Sequence, residues 1–462
     1  MEQRYSWSRV EAQVAQAIET WEGCALPFIP LSTRYSARQQ RAREKAYDKG
    51  LRSVQREACC APRNAAERLA AQQRIVALFP GFASIALGLA DEESELITGQ
   101  FLPIGTELAR WARNFDCSLS TSDIIQACRN AWSCCGLQGL LGQPSALTPS
   151  ILAYSLLYPY SDNYLDQPGM STADKLQFSE RFRRRLCGQL LSPGNGHEAA
   201  VWTMVQMIEE QYPRPLHPQV FDSLLAIHRA QEESMAQLKC AHRMNNSPAN
   251  STPNSTHNTL DNSALLRISC AKGGTSVVAD AVLTRPCLTP EEIEFAFDWG
   301  VLLQLGDDLQ DVREDLRHGS LTLFTHAIAQ GKPLDALIAQ LLHFSEQVAC
   351  RMDRLPNGTS SLKSLLRMSW RSLVLMAVAD ISSFCSPAFI AELEPCSSFR
   401  FKFLRTRNES LTGRQTLYDA LFEAFLEAGP GDRNTLPIPR SCLHPTAPQP
   451  LADLRTLSGS FV

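Results

Sequence analysis

Apolar residues recur at helical spacing along most of the chain. The segments AAERLAAQQRIVALF, TELARWARNF, STSDIIQACRNAWSCCGL and SLVLMAVADISSF place apolar side chains three and four residues apart, often behind a Ser, Thr or Asp that is typical of a helix start. Strict alternation of apolar and polar residues is rare, and no Asn-Gly or Asp-Gly pair separates two alternating runs. The pattern therefore predicts an all-α protein.

Three stretches depart from this pattern and define the expected domain organisation. Residues 1–65 are predicted to form an N-terminal helical extension, and residues 66–429 the main helical domain. Within that domain, residues 240–262 are rich in Asn, Ser, Thr and Pro, which predicts a flexible insertion between helices. Residues 430–462 are rich in proline and are expected to form a disordered tail.

The N-terminal extension contains a strongly basic segment. Arg34 to Glu57 carries eight basic and three acidic side chains. Such a segment is most often a solvated helix face, and less often a helix that faces phosphate groups or a membrane surface. The sequence leaves both interpretations open.

Composition and charge exclude several classes of function. The chain has 462 residues and a net charge of −4, which supplies no field that would gather nucleic acid over the surface. The longest apolar run, Ile75 to Ala90, is broken by Pro80 and Gly81 and is shorter than the roughly 20 residues of a membrane span. The ends show neither a secretion signal nor a prenylation box, so a cytoplasmic protein is expected. The 15 cysteines form no Cys-x-x-Cys pair, which favours reduced core thiols over a zinc site.

The first candidate site is the sequence DNYLD, which follows the apolar segment TPSILAYSLLYPY. The helix that leads to it is predicted to start at Thr148, with Pro149 in the first turn. Asp162 and Asp166 are four residues apart, so about 40° of rotation separates them if the helix continues. Both carboxylates are then expected to point the same way and to share a ligand.

The second candidate site is the sequence GVLLQLGDDLQDVREDLRHGS. Counted from Asp307 on a continuous helix, Asp311 lies at about 40° and Asp315 at about 80°. Asp308 at about 100° and Gln304 at about 60° fall on nearly the same stripe. Stacked carboxylates repel one another, and such a stripe normally persists where cations neutralise it. Oxygen ligands of this kind suit Mg²⁺, which takes one or two carboxylates together with water and phosphate oxygens.

The two aspartate-rich motifs resemble those of the class I isoprenoid synthases, the all-α family of trans-prenyltransferases, squalene and phytoene synthases, and terpene cyclases. The resemblance covers approximately residues 100–390 and is most specific around residues 300–320. It implies a helical bundle with a central cavity, in which the two motifs face each other and bind a diphosphate through three Mg²⁺ ions.

The second motif can be aligned with this family in two ways. Asp307, Asp308 and Asp311 match the D-D-x-x-D form of the chain-elongating prenyltransferases. Alternatively, Asp311 and Asp315 match the D-x-x-x-D pair of squalene and phytoene synthases. The first motif differs from the elongating enzymes, because Asn163 stands where they usually have a second Asp and no Arg-Arg-Gly follows. The N-S-E triad of terpene cyclases is also missing.

The resemblance implies a metal and catalytic role for the aspartates of both motifs. The expected metal ligands are Asp162, Asp166, Asp307, Asp308, Asp311 and Asp315, and all except Asp315 are also expected to be catalytic.

Basic side chains near the motifs are candidates for binding the diphosphate. Arg181 and Arg185 share a face of the helix after the first motif, and arginine grips phosphate oxygens in a bidentate way. Lys272 precedes Gly273 and Gly274, which suggest a local helix break or a close backbone approach. The elongating prenyltransferases carry a diphosphate-binding lysine at a helix kink in a similar place, so Lys272 is the best single candidate.

Two further side chains are expected to contact the substrate. Gln304 lies on the carboxylate stripe of the second motif. Tyr158 lies one turn before Asp162, on the line that an anchored prenyl chain would follow, and would favour shorter chains. The alternative is that this Tyr-rich segment packs against a neighbouring helix.

The expected function is prenyl transfer that depends on Mg²⁺. An isoprenyl diphosphate would ionise, and an acceptor alkene would attack the carbocation, in head-to-tail or head-to-head coupling. Cyclisation of a single substrate, as in class I terpene cyclases, is the alternative within the family. A non-catalytic helical scaffold is the alternative from another class. The expected partner is the isoprenyl diphosphate, without nucleic acid and without a transmembrane segment; peripheral membrane contact and the oligomeric state stay open.

Overall fold

The computed structural model describes residues 5–27, 29–59, 64–166, 170–245 and 261–412. Within these ranges every regular element is a helix, which confirms the predicted all-α class. No helix in the described part of the chain is long and apolar enough to span a bilayer. The expected tail, 430–462, and most of the expected insertion, residues 246–260, lie outside the described residues.

The helices of the first part of the chain are α1 (Trp7–Gly23), α2 (Ala37–Cys59), α3 (Ala65–Phe82), α4 (Asp91–Leu96), α5 (Leu102–Phe115), α6 (Thr121–Leu140), α7 (Pro149–Asp166), α8 (Thr172–Leu186) and α9 (Gly196–Gln211). Those that follow are α10 (Pro218–Asn245), α11 (Asn262–Thr284), α12 (Pro290–Gln310), α13 (Val312–His318), α14 (Leu323–Ala329), α15 (Asp335–Arg354), α16 (Ser360–Ile381), α17 (Pro387–Leu393) and α18 (Phe401–Thr412). Short π-helical turns follow α3 and α4, and short 3₁₀ turns follow α16 and α17.

The chain divides into two compact units, each assembled from separate stretches of sequence. Unit 1 comprises the described residues of 1–34, 217–356 and 366–397. Unit 2 comprises those of 35–216, 357–365 and 398–412. The first motif therefore belongs to unit 2 and the second motif to unit 1.

Unit 1 is built around α11 and α12, against which α1, α10, α14 and α15 pack. The partly buried Arg351 of α15 pairs with Asp298 of α12 and donates a hydrogen bond to the Thr20 hydroxyl of α1. Gln340 of α15 also donates to the backbone oxygen of Trp21. The first helix of the predicted N-terminal extension is thus part of the core of unit 1.

Unit 2 contains α7 packed between α6 and α9. The helix starts where the sequence predicted, because Pro149 is its first residue and the Thr148 hydroxyl accepts a hydrogen bond from the backbone N–H of Ile151. In the same unit α2 packs against α3. The predicted domain boundary at residue 65 therefore falls between two helices that contact each other.

The structure corrects one prediction about the second motif. A continuous helix across Asp307–Asp315 is wrong, because α12 ends at Gln310 and Asp311 leaves helical geometry with φ −89° and ψ 5°. The carbonyl oxygen of Asp311 then accepts the first hydrogen bonds of α13, from Glu314 and Asp315. Repulsion between carboxylates on one straight stripe favours such a break.

Candidate functional site

Two glycines let α11 and α12 cross with their backbones in contact. A Cβ added at Gly273 would overlap the carbonyl oxygen of Gly300, and a Cβ at Gly300 would overlap that of Gly273. Of the two outcomes expected at Gly273 and Gly274, the structure shows the close approach, since α11 is unbroken from Asn262 to Thr284. The crossing brings the polar residues of both helices within reach of one another.

Asp308 is the centre of this polar group. The residue is only 8% exposed. Its Oδ2 accepts a hydrogen bond from the Ser269 hydroxyl at 2.7 Å, and its Oδ1 accepts one from the Gln304 amide at 2.8 Å. Burial raises the pKa of Asp308, while these two hydrogen bonds and the positive charge of Lys272 act to lower it. Asp308 is thus a buried carboxylate that both helices hold in one orientation.

The other carboxylates of the second motif lie around the break between α12 and α13. Asp307 and Asp311 are exposed, and Asp315 is partly buried. Burial raises the pKa of Asp315 to about 7, and the negative charges of Asp308 and Asp311 contribute to the rise. The arrangement therefore concentrates negative charge that the surrounding protein does not fully neutralise.

This cluster fits a magnesium ion by the chemistry of its donors. Among the described side chains, no group of three carboxylates, imidazoles or thiols is close enough to hold one metal ion. Mg²⁺ does not need such a cage, because it usually binds one or two carboxylates and takes its remaining ligands from water and phosphate. Asp311 and Asp315 are less buried than Asp308, so they are the more accessible carboxylates of the cluster.

The arginines after the first motif lie in ion pairs within unit 2. Arg181 donates two hydrogen bonds to Glu198, at 2.6 and 2.8 Å, and its hydrogen bonds lower the pKa of Glu198. Arg185 donates two to Glu209, at 2.7 and 2.5 Å, and Arg214 donates a third at 2.7 Å. These pairs hold α8 against α9. Contact between either arginine and a diphosphate would require the pair to open.

The first motif occupies the last turn of α7. The side chains of Asp162 and Asp166 lie outside what the structure describes, whereas Tyr164, between them, stacks on His197 of α9 with ring centroids 3.7 Å apart. Burial among these rings lowers the pKa of His197 to about 4. Tyr158, one turn before Asp162, is partly buried. The turn that carries the motif is thus fixed by aromatic packing.

Neither a family model nor a curated protein matches this chain in comparisons with known proteins. The functional conclusion therefore depends on the residues of the two motifs and on their surroundings.

Two residues at these sites escaped the sequence analysis. The position of Ser269 could have been inferred from its spacing to the glycine crossing. Consecutive helices with a short connection pack antiparallel, as α11 and α12 do. The residue four before Gly273 then lies level with Gln304, four after Gly300. His197 carried no comparable signal, because its stacking on Tyr164 depends on how α7 and α9 pack.

Proposed function

We propose that this protein is a prenyltransferase with a class I isoprenoid synthase fold that uses Mg²⁺ to ionise an isoprenyl diphosphate and transfers the prenyl group to an acceptor alkene. The observation that carries the proposal is the carboxylate cluster of Asp308, Asp311 and Asp315. Burial and the negative charges of Asp308 and Asp311 raise the pKa of Asp315. The positive charge of Lys272 acts to lower the pKa of Asp308. Strongly perturbed carboxylates of this kind are typical of sites that bind a cation.

Each residue of the cluster has a distinct part in this proposal. Asp311 and Asp315, with the exposed Asp307, would hold Mg²⁺, whose charge stabilises the departing diphosphate when bound. Lys272 would donate a charge-assisted hydrogen bond to a diphosphate oxygen. Asp308 keeps its position through Ser269 and contributes negative charge rather than a free oxygen.

Other faces of α12 carry apolar side chains that are buried in the core of unit 1. Val301, Leu305 and Leu309 of α12 are fully buried. In the proposed reaction the acceptor alkene must reach the allylic carbocation before water does, because water would end the reaction with an alcohol.

The proposal also includes the first motif. Asp162 and Asp166 would likewise bind Mg²⁺ and a diphosphate, as the family resemblance implies. The proposal gives Lys272 priority over Arg181 and Arg185 because the charge of Lys272 acts on Asp308 of the second motif, whereas both arginines pair with glutamates of unit 2.

The test is an assay of the purified protein with Mg²⁺ and C10 to C20 isoprenyl diphosphates, with and without isopentenyl diphosphate. We expect diphosphate release and a longer prenyl product that requires both Mg²⁺ and an acceptor. A cyclic product from a single substrate would favour the terpene cyclase alternative. No release from any substrate would contradict the proposal and favour the scaffold.

A matched pair of variants separates the site from general effects of charge. Asp311→Asn should lower the rate of diphosphate release at least 100-fold, because it removes a metal-binding carboxylate without changing size. Asp91→Asn changes an exposed aspartate in the first turn of α4 and should leave the rate unchanged. Equal rates in the two variants would refute the assignment of Asp311.

A further inference from the structure

The outward face of α2 carries a continuous stripe of basic side chains. Its members are exposed and follow one another at intervals of three or four residues: Arg38, Arg41, Lys45, Lys49, Arg52 and Arg56. This spacing keeps them within an arc of about 80° over a length of about 27 Å. A helix that is merely solvated has no need to gather one sign of charge on a single face.

Two of the three acidic residues of this segment, Glu44 and Asp48, pair with arginines of another helix. Glu44 is buried and accepts hydrogen bonds from Arg400 at 2.8 and 2.5 Å. Burial alone would raise the pKa of Glu44, but the hydrogen bonds and charge of Arg400 lower it. Asp48 pairs with Arg407 at 2.6 Å. Both arginines belong to α18, and the charge of the stripe residue Arg41 makes a smaller contribution to the lowered pKa of Glu44.

The orientation of α2 is fixed by aromatic packing on its opposite side. The ring of Tyr47 contacts Phe82, Phe399 and Phe403, with centroids 5.3 to 5.7 Å apart. None of the six stripe residues forms an ion pair with a described residue. This packing keeps the stripe on the exposed face of α2.

We infer that this stripe docks the protein onto the surface of a membrane that contains anionic phospholipids. Six long basic side chains in one narrow, straight arc can reach a flat layer of phosphate and carboxylate headgroups together. No aromatic side chain interrupts the stripe, whereas single-stranded nucleic acid is bound by basic and aromatic residues in combination.

The binding follows from charge alone, because the stripe contains no apolar side chain that would enter the bilayer. Each basic residue near an anionic surface contributes roughly a fivefold gain in binding, and the attraction falls off within a Debye length. The protein is therefore expected to bind anionic vesicles reversibly and to leave them at high salt. This inference does not depend on the proposed enzymatic activity.

The experiment is co-sedimentation of the full-length protein with vesicles of phosphatidylcholine alone or with about 30% phosphatidylserine. We expect binding to the anionic vesicles only, lost between about 0.1 and 0.5 M salt. The triple variant Arg41→Gln, Lys45→Gln, Lys49→Gln should bind about 100-fold more weakly. The control triple Arg129→Gln, Lys332→Gln, Arg354→Gln removes the same charge at scattered exposed positions and should bind like the unchanged protein.

A charge-preserving variant guards against a loss that comes from misfolding. Arg41→Lys, Lys45→Arg, Lys49→Arg keeps the stripe and should bind like the unchanged protein. Equal weakening by both neutralising triples, equal binding to neutral vesicles, or loss of binding in the charge-preserving variant would overturn the inference. Displacement from vesicles by duplex DNA at an equal phosphate concentration would also overturn it, in favour of nucleic acid.

Discussion

Two groups of carboxylates, one in each unit, stand in opposite electrostatic situations. In unit 2, the hydrogen bonds from Arg181 lower the pKa of Glu198. Burial opposes a similar fall at Glu209, but the hydrogen bonds of its arginine partners lower its pKa as well. In unit 1, burial raises the pKa of Asp308 and of Asp315, and at Asp315 neighbouring carboxylates add to the rise.

In the proposed function, this difference separates charges that stabilise the fold from charges that bind a ligand. A carboxylate whose pKa falls has its partner within the protein, and the pair stabilises the contact between two helices. A carboxylate whose pKa rises lies in surroundings that disfavour its charged form, which is typical of functional sites. The arginines beside the first motif and the aspartates of the second motif therefore have different roles, although both groups are clusters of charge in the sequence.

The largest expected effect comes from the glycine crossing that assembles the carboxylate cluster. Gly300→Ala places a Cβ on the backbone oxygen of Gly273, so α11 and α12 must separate. We expect a loss of about 3 kcal/mol in the free energy of unfolding, measured by urea denaturation. Gly81→Ala is the control, since no atom lies within 4 Å of its added Cβ. A loss that is equally small in both variants would show that the crossing tolerates a side chain.

The next effect tests whether Arg185 serves the fold. Its side chain is 9% exposed, and Arg185→Ala leaves Glu209 with only Arg214 as its partner. We expect a loss of about 2 kcal/mol in the free energy of unfolding. Arg183→Ala breaks an exposed pair with Glu180 and should cost less than about 0.5 kcal/mol. An Arg185→Ala variant with unchanged stability but a raised KM for the diphosphate would assign this arginine to the substrate instead.

A smaller effect is expected from the hydrogen bond that orients Asp308. Ser269→Ala removes a donor from a buried carboxylate and should lower the free energy of unfolding by about 1.5 kcal/mol. Ser122→Ala on α6 replaces an exposed serine and should be neutral within about 0.5 kcal/mol. Thermal unfolding of both variants at pH 8 gives the comparison. The assignment fails if the two variants have the same stability.

The smallest effect concerns the pH dependence of stability at Asp315. Because its pKa rises from 3.8 to about 7 in the folded state, charging Asp315 destabilises the protein as pH increases through this window. Asp315→Asn cannot charge, so without metal it should be more stable than the unchanged protein by about 1 kcal/mol at pH 8 and no more stable at pH 3. Excess Mg²⁺ should shrink the gain at pH 8. A gain that is the same at both pH values would contradict the repulsion argument.

The sequence predicted local structure better than it predicted charge pairing. The start of α7 at Pro149 and the close approach at Gly273 follow from side-chain chemistry within a few residues. The break at Asp311 did not, because good helix formers surround it and the helical period continues across it. The helix end depends on repulsion between carboxylates and on hydrogen bonds to the Asp311 carbonyl oxygen. The spacing of apolar residues does not predict either interaction.

The glutamate partners of Arg181 and Arg185 could not be predicted from the sequence either. Glu198 and Glu209 lie on α9, a separate helix whose orientation against α8 is a tertiary property. The basic stripe of α2 is the reverse case, since its spacing is visible in the sequence. Its exposure follows only from the contacts of Glu44 and Asp48 with α18.

The most direct test of the central claim, that the second motif binds Mg²⁺ with a diphosphate, is calorimetric titration of the full-length protein with inorganic diphosphate. The account predicts binding that requires Mg²⁺, that weakens at least tenfold in Asp311→Asn, and that is unchanged in Asp91→Asn. Binding of equal strength in Asp311→Asn and the unchanged protein, or binding that needs no Mg²⁺, would contradict it.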